Sequence, residues 1–268
     1  MLLDHVVQPP LLSLFSSTSS SSHPTQLARC TAAGDAVTDS FISLLRDASD
    51  DHETLVAWNG AADSELSAAR VDSLRRLRRG LAAGTKDLDG QVMHLQAPDC
   101  RTTSVRWGSL SPRDWREDGL GVELPAVHFQ LKHLEQTMYL EVAVVDERGE
   151  VMIVRCSTFQ TAPELLPSTE AHPRLLHLPL LFPSSDSSVP LLTSWCTITL
   201  PLRSLLLSLT PPVKLQCVVG VAVHATCRLR RVWFSEEDAP AEVDEALLLR
   251  GGMPELALFA AVEGQAGE

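Results

Sequence analysis

Apolar and polar residues alternate with a period of two in several segments of the C-terminal two-thirds of the chain. The clearest pair is residues 139–145 and 151–157, which are separated by the turn-forming residues 146–149. Successive side chains of a strand point to opposite faces, so this pattern predicts a β-hairpin with one buried face. Residues 195–202 and 218–234 alternate in the same way and predict two further strands. No strand–helix–strand rhythm accompanies them, which favours an all-β fold, an antiparallel β-sandwich or jelly roll.

The longest predicted strand, residues 218–234, contains a break in its alternation at Arg231. Arg231 falls in line with the apolar face, and beyond it Val232 and Phe234 take the inward positions. A one-residue shift of this kind is the effect of a β-bulge. We therefore predict a bulge that turns Arg231 outward beside Arg230.

Two helices are predicted in addition to the strands. One is a short helix over residues 126–136, which follows Pro125 and ends near Thr137. The other is an inserted amphipathic helix within residues 63–84, where apolar residues recur at helical spacing and Gly84 supplies a stop. Its opposite face carries Arg70, Arg75, Arg76, Arg78 and Arg79. Such a face is typical of a solvated helix surface, and the alternative is a basic arm for acidic partners.

Changes in composition divide the chain into consecutive parts. Residues 1–15 are apolar and are expected to join the β domain, and residues 16–90 are expected to be a low-complexity loop and a partly helical insertion. Residues 91–250 are expected to form the β-sandwich, and residues 251–268 a C-terminal tail. Within the sandwich, residues 163–190 are rich in Pro and Ser and predict a long loop.

Charge and composition narrow the functional classes. The 268 residues include 22 basic and 34 acidic side chains, a formal net charge of −12, which argues against binding to nucleic-acid phosphates. No apolar run reaches the ~18 residues that span a bilayer, and the N-terminus lacks the positive flank of a secretory signal. The six cysteines are far apart with no C-x-x-C pair, which is typical of reduced thiols. We expect a cytoplasmic protein that binds neither nucleic acid nor membrane.

Residues that could converge in a catalytic site are scarce. The sequence has no phosphate-binding loop, nucleophile elbow or zinc-protease motif, and its G-x-G at residues 119–121 follows no predicted strand. His224 and Cys227 are three positions apart on a predicted strand, so they point to opposite faces and do not share a metal ion. The sequence therefore predicts no enzymatic activity, no cofactor and no metal site.

A row of basic side chains on the polar face of the longest predicted strand is the candidate site. It contains His224, Arg228, Arg230 and Arg231, and the alternation places them on an exposed surface. Guanidinium groups pair well with carboxylates, so the row suits an acidic partner. An equal alternative is that the row pairs with the surplus acidic residues of the same chain.

The same region resembles a known family. Residues 223–235, VHATCRLRRVWFS, closely resemble a motif of the cilia- and flagella-associated protein 20 family. A second similarity is residues 139–146, YLEVAVVD, which lead into residues 155–161, RCSTFQT. Weaker similarities are residues 119–125 and 11–15 and the Trp that begins the strand at 195.

This resemblance implies a fold, a location and partners. Members of the family are β-sandwich proteins similar to carbohydrate-binding modules. They are structural proteins at the inner junction of ciliary doublet microtubules, where they fasten the B-tubule to the A-tubule. The implied partners are tubulin and neighbouring inner-junction proteins, and the implied location is the cytoskeleton of the cilium or flagellum, its axoneme and the basal body. The implied partner-binding residues are His224, Arg228, Arg230, Arg231 and Arg155.

Departures from the family leave alternatives open. Typical members are strongly basic, and where they carry arginines on the second hairpin strand this chain has the apolar residues 151–154. The chain is thus either a divergent junction protein or a paralogue that scaffolds a different cytoskeletal complex. From another class, a ligand- or carbohydrate-binding module would need a platform of Trp107, Trp115, Trp195 and Trp233. A hydrolase on this scaffold would need convergent groups that the sequence does not show.

Overall fold

The computed structural model describes fourteen strands and two short helices, within residues 7–17, 28–32, 40–47, 52–55, 91–170, 172–182 and 195–236. In chain order, the strands are β1 (Leu11–Ser16), β2 (Ala28–Thr31), β3 (Phe41–Arg46), β4 (His52–Leu55), β5 (Gln91–Gln96), β6 (Ser104–Gly108), β7 (Ala126–His133), β8 (Tyr139–Asp146), β9 (Val151–Ser157), β10 (Glu164–Leu166), β11 (Arg174–Pro179), β12 (Trp195–Pro201), β13 (Leu215–His224) and β14 (Cys227–Ser235). The helices are α1 (Trp115–Asp118) and α2 (Leu202–Leu207).

The strands form two seven-stranded sheets. The first has the order β12-β7-β14-β5-β3-β4, with β1 also paired to β14, and the second has the order β10-β11-β9-β8-β13-β6-β2. Every pairing between these strands is antiparallel except that of β9 with β11, which is parallel. The predicted all-β sandwich is therefore confirmed, with one parallel pair that the sequence pattern did not indicate.

The two sheets enclose a hydrophobic core. Trp107, Phe129 and Phe234 are among its largest fully buried side chains, and Val221 and Leu229 belong to the same cluster. Burial of each such side chain stabilises the fold by about 1.5–3 kcal/mol. The core thus fixes how the sheets face each other, and through them the positions of side chains on the outer faces.

The hairpin of β8 and β9 is confirmed. Tyr139 lies opposite Ser157, and the register continues without a shift to Val145 opposite Val151. In the turn, Gly149 has a φ of +78°, a conformation that favours glycine. The carboxylate of Asp146 closes the turn by accepting hydrogen bonds from backbone N–H groups of the turn, those of Arg148 and Glu150, both at 2.9 Å.

The single strand predicted over residues 218–234 is wrong, because the chain changes sheets within it. Strand β13 ends at His224 in the second sheet, and β14 begins at Cys227 in the first. The predicted bulge is confirmed: the register of β14 against β7 shifts between Leu229 and Arg231. Since the alternation of small and polar residues continues through the crossover, the pattern gave no sign of it.

The short helix predicted over residues 126–136 is also wrong, because this segment contains β7, an inner strand of the first sheet. Phe129 and Leu131 face the core, and the alternating residues Gln130 and Lys132 point to the opposite face of the sheet. All of these side chains are buried, so no polar face marks the strand. A strand that is buried on both sides lacks the simple apolar–polar alternation.

Strands also occur in segments that were predicted to be loops or insertions. Strands β2, β3 and β4 lie within residues 16–90, and β10 and β11 lie within residues 163–190. The sequence pattern did not indicate strand β3, because its residues are buried on both faces and form a mostly apolar run without alternation. The amphipathic helix predicted within residues 63–84 and the tail at residues 251–268 lie outside the described residues, and the domain boundaries stay predictions.

Helix α1 and the loop before it cover part of the outer face of the second sheet. Trp115 packs with Val145, Ile153 and Val219 in a separate apolar cluster on this face. The loop approaches β13 so closely that a Cβ atom at Gly220 would lie 2.2 Å from the carbonyl oxygen of Ser109. Gly220 is therefore required by this close approach. Neither helix of the described ranges has the length and apolarity that a membrane span requires.

Candidate partner-binding surface

The five residues predicted to bind a partner lie on two different sheets. Arg228, Arg230 and Arg231 belong to β14 in the first sheet, whereas His224 ends β13 in the second sheet. Arg155 lies on β9, also in the second sheet. The predicted continuous row therefore does not form, because the chain crosses between sheets after His224.

Arg228 belongs to a buried ionic cluster that is centred on Asp47. Its Nη1 donates to Oδ1 of Asp47 at 2.5 Å and to the backbone oxygen of Asp47 at 2.9 Å. Oδ2 of Asp47 accepts a hydrogen bond from Nε1 of Trp195 at 2.7 Å, and Nζ of Lys132 lies 3.5 Å from Oδ1. The Asp47, Lys132 and Arg228 residues are 0%, 1% and 3% exposed. The cluster ties the end of β3 to β7, β12 and β14, so Arg228 is a structural residue.

The outer face of the first sheet, on which this cluster lies, is itself buried. Five residues that lie opposite one another on neighbouring strands cross this face from β12 to β3. All five are buried: Trp195, Lys132, Arg228, His94 and Ser43. In a two-sheet sandwich, the face opposite the core is normally the solvated one. The expectation that Arg228 is exposed is wrong because this outer face is covered.

Arg230 and Arg231 are buried as well, at 9% and 7% exposure. Burial, together with the positive charge of Arg231, lowers the pKa of Arg230 to about 10. The backbone oxygen of Arg230 accepts a hydrogen bond from the N–H of Ser17 at 2.9 Å, just after β1. The bulge therefore helps to attach the N-terminal strand, and it does not turn Arg231 out into solvent.

His128 occupies the same face of the first sheet. Its Nδ1 lies 2.8 Å from Oγ1 of Thr199 and its Nε2 lies 2.7 Å from Oγ of Ser235, on the two flanking strands. The ring stacks on Trp233 with 4.9 Å between the centroids. Burial lowers the pKa of His128 to about 4, so the ring is neutral near pH 7 and bridges two hydroxyl groups.

His224 and Arg155 meet at one carboxylate on the second sheet. Oε1 of Glu141 accepts hydrogen bonds from Nε and Nη2 of Arg155 at 3.0 and 2.7 Å. Oε2 of Glu141 lies 3.0 Å from Nε2 of His224. Burial acts to raise the pKa of Glu141, but the hydrogen bond and charge of His224 and the charge of Arg155 outweigh it and hold this pKa below its usual range.

Aromatic rings surround this ionic cluster. Tyr139 stacks on His224 with 3.8 Å between the ring centroids, and the guanidinium carbon of Arg155 lies 5.2 Å from the centre of the Tyr139 ring. Phe159 contacts Tyr139 and His177 edge-on and is 49% exposed. The side chain of Arg155 is 32% exposed. Among the five predicted residues, Arg155 is therefore the one best placed for direct contact with a partner.

The four tryptophans of the alternative carbohydrate platform are not available on the surface. Trp107 lies in the core, where its ring centroid is 5.4 Å from that of Phe15. Trp115, Trp195 and Trp233 are also buried. The platform hypothesis is therefore wrong for these residues, since sugar stacking needs an accessible ring face.

The described residues give no sign of thiol or metal chemistry. Burial raises the pKa values of Cys30, Cys156 and Cys227 to about 12 each, so these thiols stay protonated and unreactive. Across the described ranges, no three His, Cys, Asp or Glu side chains come together in a group that could hold a metal ion.

A cavity of about 560 Å³ opens between the start of β1, the start of β7 and α2. It is lined by Val7, Gln8, Glu123, Leu124, Pro125, Arg203 and Glu236. Gln8 is held at its edge by a hydrogen bond to the carbonyl oxygen of Gly121 at 2.7 Å. The lining contains two carboxylates and one guanidinium, and among the described residues it brings together no nucleophile with a general base.

Sequence analysis did not find Asp47, which lies 181 positions before its partner Arg228. No local pattern connects the two residues. The available signal was the presence of Lys132 and Arg228 between the apolar residues of their strands, because charges in such positions are paired when they are buried.

Fold and surface together define a class of protein: a two-sheet β-sandwich with two buried ionic clusters on its outer faces, one around Asp47 and one around Glu141. The model of the CFA20 domain matches residues 83–244, which is more than half of the chain. The chain therefore belongs to the CFA20 domain family, and the resemblance found in the sequence is confirmed.

One curated relative is the protein named cilia- and flagella-associated protein 20 of Chlamydomonas reinhardtii. It is 26% identical to this chain over 161 residues, which cover 58% of this chain and 74% of the relative. The family match spans β5 to β14, and so includes β9, which carries Arg155, and β14, which carries Arg228, Arg230 and Arg231.

Proposed function

We propose that this protein is a structural component of the cilium or flagellum, bound to the tubulin wall of doublet microtubules at the inner junction between the A- and B-tubules. The observation that carries the proposal is the CFA20 domain match over residues 83–244, together with the ciliary and flagellar name of the relative. Neighbouring inner-junction proteins are the further partners. The proposed locations of the protein are the axoneme of the cilium or flagellum and the basal body, both parts of the cytoskeleton.

The geometry suits a scaffold that acts through fixed contacts and without catalysis. Buried ion pairs such as Arg228–Asp47 hold strands of the first sheet together, and the Glu141 cluster does the same on the second. A rigid surface loses little conformational freedom when it binds, which favours a long-lived complex. In this proposal Arg155 contacts the partner directly, while His224, Arg228, Arg230 and Arg231 position the surface.

Fractionation of a tagged copy from ciliated cells tests the proposal. We expect the protein to stay in the axonemal pellet after detergent and then high salt, since many contacts on one doublet resist both. Density at the inner junction in tomograms of wild-type axonemes, and its loss in a knockout, would locate it. Release by detergent alone would contradict the proposal and favour a paralogue that scaffolds a different complex.

A further inference from the structure

One transverse row of side chains crosses the outer face of the second sheet. The register aligns residues from all seven strands, in the order Arg29, Arg106, Ala222, Glu141, Arg155, His177 and Glu164. Residues directly opposite one another on neighbouring strands share a face. The chain neighbours of the row, such as Cys30, Val105 and Val221, belong to the core, so the row points away from it.

Two arginines lie directly opposite each other at one end of this row. Arg29 on β2 faces Arg106 on β6, and like charges in such a pair are destabilising. The side chain of Arg29 is 64% exposed and pairs with Asp118 at 3.0 Å. An exposed pair of this kind is weak. Among the described residues, Arg106 has neither a hydrogen bond nor an ion pair through its side chain, although it is partly exposed.

A third guanidinium lies across a gap in the same row. Ala222 separates Arg106 from Glu141 in the row, and it is a small, buried residue at 1% exposure. Neighbouring strands are about 4.8 Å apart, so the positions of Arg106 and Arg155 are roughly 14 Å apart. Arg155 uses Nε and Nη2 for Glu141, and its Nη1 makes no hydrogen bond with the described residues.

We propose that Arg29, Arg106 and Arg155, called here the arginine row, form the docking surface for an acidic segment of a partner protein. Carboxylates of the segment pair with Arg106 and Arg29 and with the open side of Arg155, which lies beyond Ala222 and Glu141 in the row. The inference deepens the proposed function and rests on it for the identity of the partner. It moves the partner contact from β14 to the second sheet, where the guanidinium groups are accessible.

Charge complementarity favours a protein segment over nucleic acid as the occupant. Glu141 lies within the row, Glu164 at its far end and Asp118 beside Arg29. A continuous line of phosphates would meet these carboxylates as well as the arginines. Acidic side chains separated by neutral residues can meet the arginines and avoid the carboxylates.

The test compares two double variants that change the net charge equally. Arg29→Gln/Arg106→Gln removes one end of the row. Arg113→Gln/Arg148→Gln removes two exposed arginines, one before α1 and one in the β8–β9 turn, and is the matched control. Each full-length protein is titrated with a fluorescent peptide of Glu-Gly-Ser repeats, with microtubules assembled from purified tubulin and with a DNA duplex. Thermal unfolding confirms that each variant is folded.

We expect the row variant to bind the Glu-Gly-Ser repeat peptide and microtubules about five- to tenfold more weakly than wild type, and the control variant to bind within about twofold of it. Row-dependent binding to the peptide without any binding to microtubules would keep the docking surface and overturn the proposed function. If both variants bind microtubules as tightly as each other, the proposed function stands and the arginine row is not the docking surface. Absence of row-dependent binding to either acidic probe, or equal row-dependent binding to DNA, would overturn the docking surface.

Discussion

Replacement of Asp47 by Asn is the sharpest test of how this fold is held together. The change keeps the size of the side chain and removes the charge that faces Arg228 at 2.5 Å and Lys132 at 3.5 Å. Both cations then remain in a buried site without this carboxylate. Removal of one partner of a buried ion pair destabilises proteins by about 3–5 kcal/mol. For a domain of this size, that lowers the Tm by roughly 6–20 °C.

Urea and thermal unfolding of purified protein measure the effect. The matched control is Asp99→Asn, the same chemical change in the exposed Asp99–Arg101 pair, and we expect it to leave the Tm unchanged. A double-mutant cycle with Arg228→Gln isolates the interaction. The double variant should be more stable than the sum of the single losses predicts, since both single changes remove the same Asp47–Arg228 ion pair.

Two results would refute this reasoning. A loss below about 1 kcal/mol for Asp47→Asn would put the buried pair in the range of exposed ion pairs. Additive effects in the cycle would show that Asp47 and Arg228 do not act together. Either outcome would mean that the end of β3 is held to β14 by other contacts.

Three further predictions concern stability. Gly220→Ala should destabilise the protein by about 2 kcal/mol or more in urea unfolding, because the new Cβ would lie 2.2 Å from the backbone oxygen of Ser109. If the variant is as stable as wild type, the loop that contains Ser109 can move away from β13 at little cost. Because burial lowers the pKa of His128 to about 4 from 6.5, the unfolded chain binds the proton more readily, and wild type should lose up to about 2 kcal/mol between pH 7 and pH 5. His128→Gln should remove this part of the pH slope, and equal slopes would contradict the assignment. The pKa of Glu141 is held low in the fold, so its stabilisation is present above the ordinary carboxyl range and is lost as pH falls through the lowered value. Glu141→Gln should therefore make the dependence of Tm on pH flatter below about pH 4.5 than it is in wild type. Parallel curves for the two proteins would show that Glu141 does not stabilise the fold through its charge.

Local signals in the sequence were sufficient for some elements. The β8–β9 hairpin was predictable because alternation and turn chemistry agree, and Asp146 and Gly149 form the turn. The bulge near Arg231 was predictable from a break in the period. Strands β3 and β7 were not, since both of their faces are buried and the polar residues of β7 lie inside the protein.

The exposure of the arginines could not be predicted for a related reason. Periodicity tells which side chains of a strand share a face, and it does not tell whether that face meets solvent. On β14 the face of Arg228 is buried against Asp47, whereas on β9 the face of Arg155 is partly open. Only the register of the second sheet brings Arg29 and Arg106 into line with Arg155.

This difference between the sheets decides how substitutions of arginine must be interpreted. Arg228 lies in a buried ionic cluster, so its replacement lowers stability and reduces binding to any partner indirectly. Arg106 has no side-chain partner within the described ranges and lies opposite Arg29, so its replacement should leave stability unchanged or raise it slightly. A variant that loses binding while it keeps its Tm reports on an interface, and one that loses both reports on the fold. On this criterion the arginines of β14 are expected to fall in the second group and the arginine row in the first.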